Sequence, residues 1–263
     1  MILSVMQPTY LPWLGYFALI QSADKFVFLD DVKLEKSDWH IRNRIKAKNQ
    51  PLMLSCHVST PNGRSAATIE NTAFIKETVW KKKHLKSIYE NYNKTDYFEE
   101  LFPILSSVFE KDNLNTVAQF NIALINALMS YIGISTPTFI SSKLSNVEGV
   151  KDSRLVSLCN KLDCDVYLSP MGAKNYIEEF TPGGQLVKNN IDVYYQNFEH
   201  PEYIQRNGSF ESHLSAIDSL FNVGPNKTAE LIKNSTKQAR HCRGFGSLTC
   251  HLAGFIKLSS SIA

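Results

Sequence analysis

The sequence is short of several things, and each shortage excludes a class of protein. Five cysteines in 263 residues (Cys56, Cys159, Cys164, Cys242 and Cys250) are too few, and odd in number, for a disulfide framework. All five are expected as free thiols. No basic stretch precedes the first apolar segment, so the expected compartment is the cytoplasm. No run approaches the roughly 18 to 20 apolar residues that cross a bilayer. The net charge is only +3 and acidic residues interleave with basic ones, so no extended basic stripe invites nucleic acid. P-loop, GxSxG and HxxxD signatures are missing, and no cofactor can be read from the chain. His241-Cys242 and Cys250-His251 offer four zinc ligands at a spacing foreign to structural zinc sites, so no metal is expected. Repeats, low-complexity tracts and linker-like shifts in composition are lacking too.

What is present suffices for a large core: 43% of residues are hydrophobic. Ile2 to Met6 has strand character, and the prolines of Gln7-Pro8-Thr9-Tyr10-Leu11-Pro12 end it in a loop. Trp13 to Ser22 reads as a helix and Lys25 to Leu29 as a second strand, closed by Asp30-Asp31. Strand, loop, helix, strand is a βαβ unit and implies parallel pairing. Lys33 to Lys48 is polar and basic, and Leu52 to Val58 reads as a strand. Helices are expected over about 75–91, 97–110 and 114–131, the last capped by Asn113 or Asn115 and stopped by Gly133. A second βαβ rhythm follows: strand 138–141, helix 153–162, strand 165–169. Ile191 to Phe198 is the last strand, and Glu211 to Phe221 a helix stopped by Gly224-Pro225. The expected class is α/β, with a mainly parallel sheet built from N-terminal βαβ units. Residues 1–226 form one domain with a helical insertion at about 75–133, and 227–263 an atypical tail.

Three segments carry chemistry. Ligands of open α/β sheets sit outside the carboxyl ends of strands, where Gln7, Tyr10 and Trp13 fall. The blander account makes Trp13, Tyr16 and Phe17 helix-face core. Asp30 and Asp31 leave the same sheet edge and suit sugar hydroxyls, a hard cation or general-base work, or else cap a turn. Trp39, Arg42, Asn43 and Arg44 combine a stacking face with planar donors and an amide, equipment for an anionic, partly aromatic ligand, or else form a solvated loop. Further along, Tyr194, Gln196, His200 and Tyr203 follow a strand, with His200 the best-placed general base outside the first loop. His84 sits on a basic helix face that reads as solvated. Lys151 and Arg154 open a helix that could meet phosphate. Asp218, amid apolar neighbours, needs a partner.

The run Gln7-Pro8-x-Tyr10-Leu11-Pro12-Trp13-x-Gly15-Tyr16-Phe17, with Phe26 to Val32 and Trp39 with Arg42-Asn43-Arg44-Ile45, resembles the WbqC-like protein family. The likeness continues through Trp80 to Leu85, Tyr97-Phe98, Tyr194-Tyr195-Gln196, His200-Pro201-x-Tyr203-x-Gln205 and Leu214 to Pro225. It spans about residues 2 to 226. At Ser169-Pro170-Met171-Gly172 this copy departs from the family's pattern, which has glycine in place of Pro170. A weaker likeness is to nucleotidylyl transferases of the HxGH type, where Trp13-Leu14-Gly15-Tyr16 occupies the place of the motif. Both histidines are missing, which disfavours nucleotidylyl transfer by that route and leaves a nucleotide-binding fold as what the likeness implies.

The family resemblance implies bacterial surface-polysaccharide or O-antigen assembly. The expected activity is a transferase acting on a nucleotide-linked sugar, adding an acyl or aminoacyl group from an unidentified donor to an amino sugar. Gln7, Tyr10, Trp13, Asp30, Trp39, Arg42, Asn43, Arg44, Tyr194 and Gln196 are the expected binding residues, and Asp31, His84 and His200 the catalytic ones. Alternatives are a non-catalytic carbohydrate-binding or scaffold protein, and a nucleotidylyl transferase or ligase using ATP or CTP. Self-association into a homo-oligomer is also open.

Overall fold

The computed structural model describes residues 1–34, 39–48, 50–75, 79–242 and 252–253. The chain opens with β1 (Ile2–Met6), α1 (Leu14–Gln21) and β2 (Lys25–Phe28). Two small antiparallel ribbons follow, β3 (Arg42–Ile45) with β4 (Leu52–Ser55) and β5 (Val58–Ser59) with β6 (Ala73–Phe74). Next come α2 (Trp80–Tyr92), α3 (Phe98–Phe109) and α4 (Val117–Ile132). The second half runs β7 (Thr138–Ile140), α5 (Lys151–Lys161), β8 (Val166–Ser169), α6 (Lys174–Ile177), α7 (Gly184–Lys188) and β9 (Asp192–Phe198). It ends with α8 (Ile217–Ser235), β10 (Thr236–Cys242) and β11 (Leu252–Ala253).

The main sheet has the order β7-β2-β1-β8-β9-β10-β11. The first five strands are parallel, and β10 and β11 extend the sheet antiparallel. This is the mainly parallel α/β class. Side chains alternate across each strand, so the sheet feeds two cores. Phe26, Phe28, Leu168 and Tyr194 join α1, α4 and α8 on one face. Leu3, Val5, Val27, Tyr167, Val193 and Tyr195 meet residues of α5, α6 and α7 on the other. Burial on both faces explains why these strands read as near-continuous apolar runs. Among the described residues no helix is long and apolar enough to cross a membrane.

The order places a switch point beside β1: the chain first winds outward through β2 to β7, then returns to the opposite flank of β1 for β8 and β9. Neighbouring connections there leave in opposite directions and open a crevice at the carboxyl ends of the strands.

Several local expectations need correction. Arg42–Ile45, in a segment that reads as merely polar, is a strand, because Asn43 and Leu54 face inward on the ribbon while Arg42 and Arg44 alternate outward. The expected strand 52–58 breaks in two where Cys56 N–H turns to Ile41 C=O and His57 C=O accepts from Ile75. Thr116, not Asn113 or Asn115, caps α4, in a reciprocal capping box with Gln119. Gly133 stops that helix at φ 86° as expected. Residues 211–216 are not helical, and Gly224-Pro225 does not end α8. Gly224 adopts φ 76° and ψ 177° and kinks the element, and Pro225, whose missing N–H costs little at a helix start, begins the second segment. An added Cβ at Gly224 would lie 2.3 Å from the Tyr97 ring, so glycine is needed for space as well as for φ.

Candidate functional site

The loop after β1 is pinned from three sides. Leu11 takes φ 44°, a conformation that a branched side chain resists. The Asn43 amide donates to Tyr10 C=O at 3.1 Å and Leu11 C=O at 2.7 Å. From α4, the Asn121 amide donates to Pro8 C=O at 2.9 Å and His40 C=O at 2.8 Å. Pro12 C=O accepts from Ala216 N–H at 2.7 Å. Such over-determination lets strain persist in a fixed loop.

Beside this loop, at the switch point, lies a cavity of about 430 Å³. Gln7 and Trp13 wall it from the loop, Leu29 from the end of β2, Pro170 to Ala173 from the turn after β8, Tyr176 from α6, and Gln196 and Phe198 from β9. Gln196 is oriented by its amide, which donates to Gly15 C=O at 3.0 Å. The Trp13 ring packs edge-on to Phe198 at 5.1 Å and stacks at 24° on His213, centroids 5.5 Å apart. Gly15 makes room for it: a Cβ there would fall 2.4 Å from the indole.

The outer face of the β3 ribbon carries a separate aromatic and cationic group that reaches the Trp13 wall through His213. Trp39, 44% exposed, has the guanidinium carbons of Arg42 and Arg44 each 6.0 Å from its ring centroid. The Nη2 of Arg44 donates to His213 C=O at 3.3 Å. Trp39, Arg44, His213 and Trp13 thus form a continuous path from an exposed cationic and aromatic platform to the crevice wall.

His200 lies behind Trp13, with its ring 4.8 Å from that of His213. Its Nδ1 bonds to Pro201 C=O at 3.0 Å, and since a carbonyl only accepts, Nδ1 carries the proton. The buried Nε2 is the bare nitrogen and has no hydrogen-bond partner among the described residues. Burial, helped by the neighbouring His213, pulls the pKa of His200 down to about 4. The segment carrying it is anchored by Asp218, a fully buried carboxylate that accepts from the Tyr92 hydroxyl at 2.8 Å and the Tyr203 hydroxyl at 2.9 Å. Burial raises the pKa of Asp218.

Of the expected site residues, Gln7, Trp13 and Gln196 line this cavity, and the others do not. Tyr10 is fully buried, with its hydroxyl 2.7 Å from Nδ1 of His84. His84, which reads as a solvated surface histidine, is 6% exposed, and burial lowers its pKa to about 4. The reason is its ring neighbours: Tyr10 and Trp80 close over it. Tyr194 packs in the core and Asn43 serves the loop. Asp31 is ion-paired with Arg154 and accepts from Ser141 Oγ at 3.2 Å. Lys151 pairs with Glu179 at 2.9 Å, so neither basic residue opening α5 is free for phosphate. Asp30 lines a second cavity, of about 420 Å³, between α4 and the turn after β7. Cys56, Cys159 and Cys164 are free and buried, whereas Cys250 and His251 lie outside the described residues. Among the described residues no three His, Cys, Asp or Glu side chains gather as a metal site.

Reading the sequence misses Tyr176, His213 and Asn121. The first two carry no local signal. Asn121 does: an amide between Phe120 and Ile122 on an apolar helix face needs buried partners.

A doubly wound α/β protein with a ligand-sized crevice at its switch point is the class that these features define. Within it, the chain belongs to the WbqC-like protein family, whose match covers residues 7–230. The uncharacterized protein Rv1507c of Mycobacterium tuberculosis is 32% identical over 224 residues, which cover 84% of this chain and 93% of that protein. No solved structure matches the chain.

Proposed function

We propose that the protein is a transferase of surface-glycan assembly that binds a nucleotide-linked sugar across the crevice and the β3 ribbon. The carrying observation is the unbroken path from Trp39, Arg42 and Arg44 through His213 to Trp13 and the cavity. The diphosphate lies on the two guanidinium groups, with the base over Trp39. The sugar enters the cavity against the amides of Gln7 and Gln196 and the face of Trp13. The reaction is acyl or aminoacyl transfer, in keeping with the polysaccharide context that the family resemblance implies. The sugar's amino group attacks the donor's thioester or ester carbonyl, and the amide C–N bond forms as the C–S or C–O bond breaks and the thiol or alcohol departs. The unprotonated Nε2 of His200, buried behind Trp13, does not line the cavity, so the amine's proton leaves with the donor's leaving group.

One observation favours a second reading, non-catalytic carbohydrate binding: Asp31 is neutralised by Arg154 and His84 is bonded to Tyr10, which leaves few groups to move protons. Incubating the purified protein with nucleotide-linked amino sugars and a panel of acyl-CoA and aminoacyl donors, read by mass spectrometry, separates the two. Mass gain on the sugar supports the transferase. Tight binding with no product from any donor supports the binding protein, and no binding removes both.

A further inference from the structure

The second cavity has a chemistry unlike that of the crevice. It lies where β2 and β7 end, against one stripe of α4 that includes Gln119 and Ile122, and holds about 420 Å³. At its base is Asp30, 2% exposed. Its carboxylate accepts from Ser142 N–H at 3.0 Å and Ser142 Oγ at 2.7 Å, both neutral donors. Among the described residues no cation pairs with it. A carboxylate buried on neutral donors alone is under-compensated, and each oxygen retains a second lone pair. Glu70 stands next to it, with its N–H bonded to Asp30 C=O at 2.8 Å and its carboxylate at the exposed rim. Lys143, also on the rim, supplies the opposite charge, and Ile122 and Ile140 supply an apolar wall.

We propose that this cavity binds a small zwitterion of the amino acid class with a short apolar side chain. Its ammonium is taken by Asp30 and Glu70, its carboxylate by Lys143, and its side chain lies on Ile122 and Ile140. The ammonium supplies the cation that Asp30 lacks, and Lys143 sets the site against a bare divalent metal, which would meet its like charge with no carboxylate of its own to offer in return. The site is separate from the crevice and does not rest on the nucleotide-sugar reading.

The test is calorimetric titration of the full chain with glycine, alanine, valine and leucine, with N-acetylvaline and isobutylamine as partners lacking one charge each, and with magnesium and calcium chloride alone. An amino acid should bind, and both single-charge analogues should bind at least about tenfold more weakly. Asp30→Asn is the direct variant but disturbs a buried hydrogen-bond pair. Glu70→Gln and Lys143→Gln alter rim side chains and leave folding intact, and each should weaken binding by about tenfold. No heat with any amino acid, equal affinity for N-acetylvaline, unchanged affinity in both rim variants, or saturable binding of a metal alone would each overturn the proposal.

Discussion

The phenol of Tyr10 and Nδ1 of His84 share a hydrogen bond of 2.7 Å inside a nest of aromatic rings, and through it α2 holds the loop that follows β1. The bond has a consequence for acid stability. Burial is the largest cause of the low His84 pKa of about 4, with His57 adding to it and a backbone contact at Ser55 opposing it. The unfolded chain binds a proton near pH 6.5, and the folded chain resists until about 4. Stability is therefore unaffected above pH 6.5 and falls as pH drops from 6.5 toward 4, by roughly 2 to 3 kcal/mol from this residue. Denaturant midpoints at pH 7.5 and 4.5 should differ less in His84→Leu than in the wild type. An equal drop in both would assign the acid sensitivity elsewhere.

Arg42→Lys and Arg44→Lys should each lose the paired geometry of a guanidinium on a diphosphate. The expected cost is about 1.5 to 3 kcal/mol in binding a nucleotide-linked sugar, roughly ten- to a hundredfold. A solvated role predicts a change within about 1 kcal/mol. Calorimetry on the folded variants decides between them.

Gly15→Ala should push the Trp13 indole out of its place, since the new methyl would start 2.4 Å from it. Trp13 is wedged against Phe198 and His213 and has little room to yield. Overpacking of this kind costs about 1 to 3 kcal/mol. A lower melting temperature, a shift in tryptophan emission and loss of sugar binding are expected together. Wild-type behaviour in all three would show that the ring moves freely.

Asn121→Leu removes the donors that hold Pro8 C=O and His40 C=O and leaves two buried carbonyls without them. Roughly 2 to 4 kcal/mol of stability should be lost. Chemical denaturation measures it, and a loss below about 1 kcal/mol would mean that the loop finds other donors.

The thiols offer a simple check. Burial raises the pKa of both Cys56 and Cys159, so these two should stay unreactive toward a thiol reagent in the native protein and react fully in denaturant, with five thiols counted in all. Fewer than five in freshly prepared protein would point to disulfide formation.

The first βαβ unit was legible because its signals are local: two prolines end a strand, and an apolar run bounded by Asp30-Asp31 marks the next. Parallel pairing and the shared edge of the two loops follow from it, whereas the register, Leu3 opposite Lys25 and Met6 opposite Phe28, is set by packing and carried no signal in the sequence. The site was legible in part. Gln7, Trp13 and Gln196 meet in one cavity, yet Tyr10 and Asn43, which look equally suited to a ligand, turn inward. A phenol and an amide satisfy buried backbone or imidazole as readily as a substrate, and only packing tells which they do. The same holds for His84, whose lysine neighbours Lys81 to Lys83 suggest solvent while its own side of α2 faces the core. The Gly224-Pro225 pair misled because a glycine that ends one helix can seat a proline that begins the next.

Leu29 and Asp30 are neighbours in the chain, yet Leu29 walls the crevice and Asp30 floors the other cavity. The stretch from Lys25 therefore acts as a gauge: its length in residues decides which chamber is given an oily wall and which a carboxylate. Adding or removing one residue would exchange the two and spoil both chambers at once. Redesign of either chamber can change side chains freely around it, but must leave this count alone.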